Sequence, residues 1–244
     1  SLRVVTYNIA AGNGNLDGIV SVLRAANADI VALQEVDVHW DARSAFADQA
    51  AVLGQQLDMQ VRFAPIYHVN ADRAPPREYG VALLSRFPII AFTNQALTRL
   101  STQPNAGPPA PMPGLLDATI DVRGTRVRVF NTHLDYRADP AVRMRQVSEM
   151  LTLLKSSAAP TLVFGDLNAT PLASELAPLL AHLEDAWRVS SDEGLTYPAT
   201  APVKRIDYVL MSPHFRSTAA HVPVTLASDH RPVVVNLLLR PARP

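Results

Sequence analysis

Along this chain the apolar residues fall in short runs broken by Gly, Pro, Asn and Asp, and most runs are of strand length. Leu2–Tyr7, Ile30–Leu33, Val81–Leu84, Ile89–Phe92, Leu115–Val122, Val127–Thr132, Thr161–Phe164, Ile206–Met211 and Val233–Leu238 read as strands, several of them rich in β-branched residues. A different period, with apolar positions three and four apart, marks Leu16–Ala26, Ala45–Leu57 and Ala141–Leu154 as helices, and Ser174–Ala181 as a shorter one. Asp139-Pro140 supplies a cap and a first-turn proline ahead of the third. Strands outnumber helices, and neighbours such as 115–122 and 127–132 are close enough for hairpins. The pattern predicts a layered α/β sandwich with mixed sheets, not a purely parallel doubly wound sheet.

Two stretches break the rhythm. Residues 70–77 contain Pro75-Pro76, and residues 103–114 hold five of the 20 prolines. Strand patterns resume on both sides without a shift in composition, so both read as surface loops inside one domain spanning 1–244. No internal repeat is visible at the level of motif strings.

Composition narrows the chemistry. With 244 residues, 48% of them hydrophobic, the chain can bury one sizeable core. Its 22 Lys+Arg balance 22 Asp+Glu, so no global basic field advertises nucleic-acid binding. Cysteine is absent, which excludes a disulfide scaffold, a thiolate zinc site and a cysteine nucleophile. No apolar run approaches the roughly 18 residues of a membrane span. The chain opens at Ser1 directly on a strand pattern; this leaves open a soluble secreted or periplasmic protein from which an upstream segment has been removed. A monomer is expected.

Polar groups recur at the ends of the predicted strands. Asn8 ends the first and Glu35 follows the second. His133 and Asp135 close a middle strand, Asp166 and Asn168 another, and Asp229-His230 precede the last. Taken singly, each reads as a turn residue, a helix cap or a solvated strand end. Together, three carboxylates (Glu35, Asp166, Asp229), two amides (Asn8, Asn168) and no thiol form an oxygen-donor set suited to Mg²⁺ or Mn²⁺, with Ca²⁺ also admissible. Two histidines beside such a set suit phosphoryl chemistry, one to activate water and one to donate to a phosphate oxygen. Asp207 lies within an apolar run, where an unpaired charge is costly. A histidine that becomes cationic during catalysis is a suitable partner for it.

Thr6-Tyr7-Asn8, Leu33-Gln34-Glu35-Val36, Tyr79-Gly80-Val81-Ala82-Leu83-Leu84-Ser85-Arg86, Thr132-His133-Leu134, Gly165-Asp166-Leu167-Asn168, Arg205-Ile206-Asp207-Tyr208 and Ser228-Asp229-His230 follow one another along the chain. In that order they resemble the signature of the endonuclease/exonuclease/phosphatase superfamily. The resemblance implies a four-layer α/β/β/α sandwich with two mixed, mainly antiparallel sheets and a site at one rim. It implies Glu35 as principal metal ligand, with Asn8 close to the metal and Asp229 as a further metal-site carboxylate. His230 matches the general base oriented by Asp207, Asp166 and Asn168 match the residues that position water and phosphate, and His133 matches the phosphate-contacting histidine. Histidine at 133 resembles the deoxyribonuclease, sphingomyelinase and inositol-phosphatase branches more than the apurinic endonuclease branch. Glu78 and Tyr79 are expected as orienting residues, Glu78 towards His133, and Arg205 to bind phosphate.

Departures from the branches limit the substrate. There is no aromatic-rich hairpin, and Ala169-Thr170-Pro171 stands where the inositol-phosphatase branch has an arginine. Arg73, Arg77, Arg99, Arg137 and Arg205 lie near rim segments without forming a sequence cluster. The leading expectation is a divalent-metal-dependent phosphodiesterase with a phosphoester substrate. A nuclease with the same site is the enzymatic alternative, and a phospholipid head group is also left open. A non-catalytic nucleic-acid- or protein-binding regulator is the alternative of another class.

Overall fold

The computed structural model describes residues 1–69 and 75–240. The predicted loop at 70–77 therefore lies partly, and Arg73 wholly, outside the described residues. Among the described residues, twelve strands form two six-stranded sheets. In chain order the strands are β1 (Leu2–Asn8), β2 (Ile30–Val38), β3 (Gln60–Val69), β4 (Arg77–Ser85), β5 (Ile89–Arg99), β6 (Ala110–Val122), β7 (Thr125–His133), β8 (Thr161–Asp166), β9 (Glu184–Asp185), β10 (Asp207–Met211), β11 (Phe215–His221) and β12 (Val233–Leu239). The first sheet runs β11-β12-β1-β2-β4-β3 and the second β5-β6-β7-β8-β10-β9. Each is centred on a parallel pair, β1 with β2 and β7 with β8, and the remaining pairs are antiparallel.

The parallel pairs are joined through helices, as parallel strands require. These are α1 (Leu16–Ala26) in the first sheet and α3 (Ala141–Leu154) in the second; α2 (Gln49–Leu57) and α4 (Ala177–His182) complete the outer layers. Asn15 caps α1 by accepting from Gly18 N–H, and Asp139 accepts from Ala141 N–H at the start of α3.

Strand periodicity divides the interior. Val4, Ile30, Ala32, Val129, Phe164, Val209 and Val235 pack between the sheets. The alternate residues Val5, Leu33 and Val234 meet α1 and α2, whereas Phe130, Val163 and Leu210 meet α3 and α4. The result is the four-layer α/β/β/α arrangement expected, with mixed, largely antiparallel sheets. The same parity decides the site. Asn8, Gln34, Asn131, His133, Asp166 and Asp207 continue the rows that face the opposite sheet, at the rim where both parallel pairs end.

Three strands escape the apolar pattern: β3, β9 and β11. All three are sheet edges. An edge strand is only partly covered, so its sequence need not show a buried run. The proline-rich stretch expected as a loop also contributes residues 110–114 to β6. There Ala110, Pro111 and Met112 pair with β5 alone, and pairing to β7 begins only at Leu116, so no ladder hydrogen bond on the far side is lost to Pro111 or Pro113.

Candidate active site

Glu35 reaches the rim through a defect in β2. Leu33 pairs with Ala82 and Val36 with Gly80, so β2 carries one residue more than β4 across that interval. Glu35 sits in the bulge with φ 54°, a left-handed conformation that is uncommon for glutamate. The defect is supported from the other sheet. Asn131 on β7 donates through Nδ2 to Leu33 O (2.9 Å) and Ala82 O (2.8 Å), the carbonyls of the last pair before the bulge. Its Oδ1 accepts from Gln34 Nε2 at 2.7 Å, and Gln34 also donates to Thr6 Oγ1. This fully buried amide network holds the strained turn that presents Glu35.

Asp166 is the hub of the site. Its Oδ2 accepts from Asn8 Nδ2 at 3.1 Å and lies 3.5 Å from His133 Nε2 and 3.6 Å from His230 Nε2. Its Oδ1 accepts from Asn168 N–H at 2.9 Å. Asn168 has φ 50° and donates from its side chain to Leu134 O, a tight turn that brings it back over the strand end. The glycine before Asp166 has a steric reason: a Cβ at Gly165 would lie 2.4 Å from Thr132 O on the adjacent strand. Asn8 spans the sheets, donating to Glu35 Oε1 at 2.8 Å as well as to Asp166, while its oxygen accepts from Ala10 N–H.

Behind His230 lies Asp207, buried and 2.9 Å from His230 Nδ1. The same Oδ2 accepts from Thr196 Oγ1 at 2.5 Å, whereas Oδ1 has no partner among the described residues. Tyr197 packs its ring 4.7 Å from the imidazole. Burial opposes charge on His230, but Asp207, by charge and hydrogen bond, and then Asp166 and Asp229 outweigh it and push the pKa up to about 10. Asp166 is raised to about 6, first by burial and then by Asp207, against the lowering effect of His133, His230 and Asn8.

Glu35, Tyr79, His133, Asp166, Asn168, Asp229 and His230 open onto one cleft of about 590 Å³. Asp229 is exposed on its wall, next to Ser228, whose hydroxyl donates to Asn8 O at 2.7 Å. Burial and then the Glu35 carboxylate push the Tyr79 hydroxyl well above its ordinary pKa, so it stays protonated. Asp166, Asp207 and His230 bring ligand atoms within 4.8 Å of one another, a candidate metal cluster.

Two expected contacts have other partners. Glu78 is bonded to His68 Nδ1 at 2.7 Å instead of to His133, because β3 and β4 pair His68 directly opposite it. Arg205 is held by Asp185 at 2.7 Å and lies over the Tyr208 ring, and it does not line the cleft. Its neighbours Lys204 and Ile206 line it instead, since alternate residues of an extended segment face opposite ways. Sequence reasoning also missed Gln34, Asn131, Thr196 and Tyr197. Parity with Asn8 and His133 along the strands was a usable signal for the first two. Thr196 and Tyr197 lie in an irregular segment with no periodicity to read.

No helix among the described residues is long and apolar enough to cross a membrane. A sequence model described as "Endonuclease/Exonuclease/phosphatase family" matches residues 5–230. No curated protein matches the chain. Among solved structures, an endonuclease/exonuclease/phosphatase from Beutenbergia cavernae is similar at 25% identity and TM-score 0.76, over 99% of this chain and 72% of that one. A mannosyl-6-phosphatase from Bacteroides thetaiotaomicron is similar at 18% identity and TM-score 0.74, over 98% and 100% of the two chains. The human Nocturnin catalytic domain with bound sulfate is similar at 21% identity and TM-score 0.73, over 98% and 93%.

Proposed function

The chain belongs to the endonuclease/exonuclease/phosphatase family, and we propose that it is a phosphodiesterase that hydrolyses a small phosphoester by in-line attack of water. Family membership and the Asp166, Asp207 and His230 cluster support a metal-dependent phosphoesterase in general. The observation that carries the finer reading is the orientation of His230. One ring nitrogen is held by a buried carboxylate, and the other faces Asp166 in the cleft.

The donor set fits a hard cation, with carboxylate and amide oxygens and no thiol. Glu35 and Asp229 on the cleft wall would hold Mg²⁺ or Mn²⁺, with Asn8 fixing Glu35. A cation seated between Asp207 and His230 would have to displace their 2.9 Å hydrogen bond, and Asp207 Oδ2 already accepts from Thr196 as well. When bound, the cation supplies charge to polarise the phosphoryl group and stabilise the leaving oxygen. His230 Nε2 takes the proton of the attacking water in its neutral form, which the charge of a cation held by Glu35 and Asp229 would favour against the carboxylates that raise its pKa. Asp207 holds Nδ1–H and stabilises the imidazolium. Asp166 and Asn168 position water and phosphate, and His133 donates to a phosphoryl oxygen as charge builds.

A non-catalytic binder has no physical need for a buried carboxylate paired to a base, which disfavours the regulator reading. A panel of bis-p-nitrophenyl phosphate, a phosphomonoester, plasmid DNA and RNA in Mg²⁺ tests the proposal. The diester is expected to be turned over by wild type and not by His230→Ala. Preference for either polymer would replace this reading with the nuclease one.

A further inference from the structure

Arg99 ends β5 with its side chain buried beneath the cleft, only 7% exposed, yet on the cleft wall. Its Nε donates to Pro113 O (3.0 Å), Nη1 to His133 O (2.9 Å) and Nη2 to Gly114 O (3.0 Å). Gly114, at φ 112°, permits this approach: a Cβ there would lie 2.2 Å from the Ile66 side chain and 3.2 Å from Arg99 Nη2. Three of the five guanidinium N–H groups are thus engaged, and each terminal nitrogen keeps one free. All three acceptors are neutral carbonyls. Among the described residues no carboxylate lies within salt-bridge distance of Arg99. The less buried Arg128, Arg137 and Arg205 have Asp117, Asp135 and Asp185, and the equally buried Arg143 has Glu175.

Carbonyls explain the position of the side chain, but its charge has no contacting counter-ion among the described residues and is offset only from a distance by Asp135 and Glu149. A buried cation without a contacting counter-ion is destabilising. Burial lowers the Arg99 pKa only to about 10, so the charge persists at neutral pH. The guanidinium is bonded to the main chain of His133, the residue whose ring faces Asp166, so a charge without a contacting counter-ion adjoins the reacting centre. Tyr67, with its hydroxyl bonded to Thr102, lines the same end of the cleft.

We propose that Arg99 is a second anion subsite, which selects small phosphoesters carrying another phosphate or carboxylate a few bonds from the scissile phosphorus. A planar guanidinium with one N–H left on each terminal nitrogen suits the two oxygens of such a group. The proposal rests on the phosphoesterase reading for the place of the reacting phosphorus, and its test is chosen to fail separately.

Calorimetry in Mg²⁺, which needs no turnover, would compare alkane-α,ω-bisphosphonates and carboxyalkyl phosphonates of increasing length with the matching monophosphonates. Wild type is expected to bind the best-fitting two-headed compound about tenfold or more tightly than its single-headed counterpart. The ratio should fall towards one in Arg99→Met and be partly retained in Arg99→Lys. Comparing the bisphosphonate and carboxylate arms identifies which second group is preferred. Equal affinities at every length in wild type, or a ratio unaltered in Arg99→Met, would overturn the subsite. If Arg99→Met does not fold, the wild-type series and Arg99→Lys still decide. Normal turnover by Glu35→Gln would instead overturn the underlying reading while leaving the binding ratio to stand.

Discussion

Replacing Asp207 with asparagine removes one charge from the centre of the site with little change of shape. In the folded protein His230 is raised from 6.5 to about 10, which corresponds to roughly 5 kcal/mol of preference for the imidazolium. Asp207 is the leading source of that preference, with Asp166 and Asp229 behind it. If the amide oxygen keeps the contacts to His230 and Thr196, the new NH₂ occupies the place of Oδ1, which has no partner among the described residues. A buried donor left unsatisfied costs about 1–3 kcal/mol, so the variant should melt lower but remain folded. Turnover should fall far more than folding: in unrelated triads the same substitution costs about four orders of magnitude. The remaining activity should have its acidic limb at lower pH, because losing the anion makes His230 easier to deprotonate. The assay is turnover of bis-p-nitrophenyl phosphate against pH at saturating Mg²⁺, with metal affinity measured in parallel and expected to be nearly unchanged. Activity per folded molecule close to wild type, with only the melting temperature reduced, would refute the base-orienting role.

Other outcomes follow from the same geometry. Asn131→Leu removes one buried hydrogen bond each from Leu33 O, Ala82 O and Gln34 Nε2 and should reduce stability by roughly 2–4 kcal/mol; calorimetry should also show weaker Mg²⁺ binding, and unchanged Mg²⁺ affinity would show that the network does not position Glu35. Metal-free protein should lose stability as pH rises. His230 and Asp166 both have folded pKa values above their unfolded ones, so each contribution is fully present below the unfolded value and is lost as pH climbs through about 6 for Asp166 and about 10 for His230. Urea midpoints in EDTA at pH 6 and 9.5 should therefore decline in wild type and less so in Asp207→Asn; a wild-type midpoint that rises would contradict the assignment. Cleavage should depend only shallowly on salt, because the interior arginines Arg128, Arg137, Arg143 and Arg205 are paired with carboxylates. A steep decline with plasmid or RNA as best substrate would point to a polymer bound through many phosphates.

The sequence made the centre of each sheet legible because buried strands must be continuously apolar. Leu16–Ala26 and Ala141–Leu154 coincide with α1 and α3, which begin at Asn15, whose side chain accepts from Gly18 N–H, and at Asp139-Pro140, where the Asp139 side chain accepts from Ala141 N–H. What it hid were edges and supports. The strand Phe215–His221 is short of large apolar side chains, because an edge needs less burial. The site carboxylates and histidines were readable as polar breaks after apolar runs. The amides that hold them were not, since Gln34 and Asn131 have their role only once two sheets face each other. Glu78 and Arg205 were misplaced for the converse reason: proximity in sequence to a motif does not fix which way an extended side chain points.

The central claim is a metal-dependent hydrolytic site anchored by Glu35. Its most direct test is the rate of bis-p-nitrophenyl phosphate hydrolysis by metal-stripped protein as Mg²⁺ is titrated back, for wild type and Glu35→Gln side by side. The account predicts no turnover in EDTA, saturable restoration in wild type, and restoration lost or displaced to far higher Mg²⁺ in a folded Glu35→Gln. Undiminished hydrolysis in EDTA, or a Glu35→Gln titration that superimposes on wild type, would contradict it.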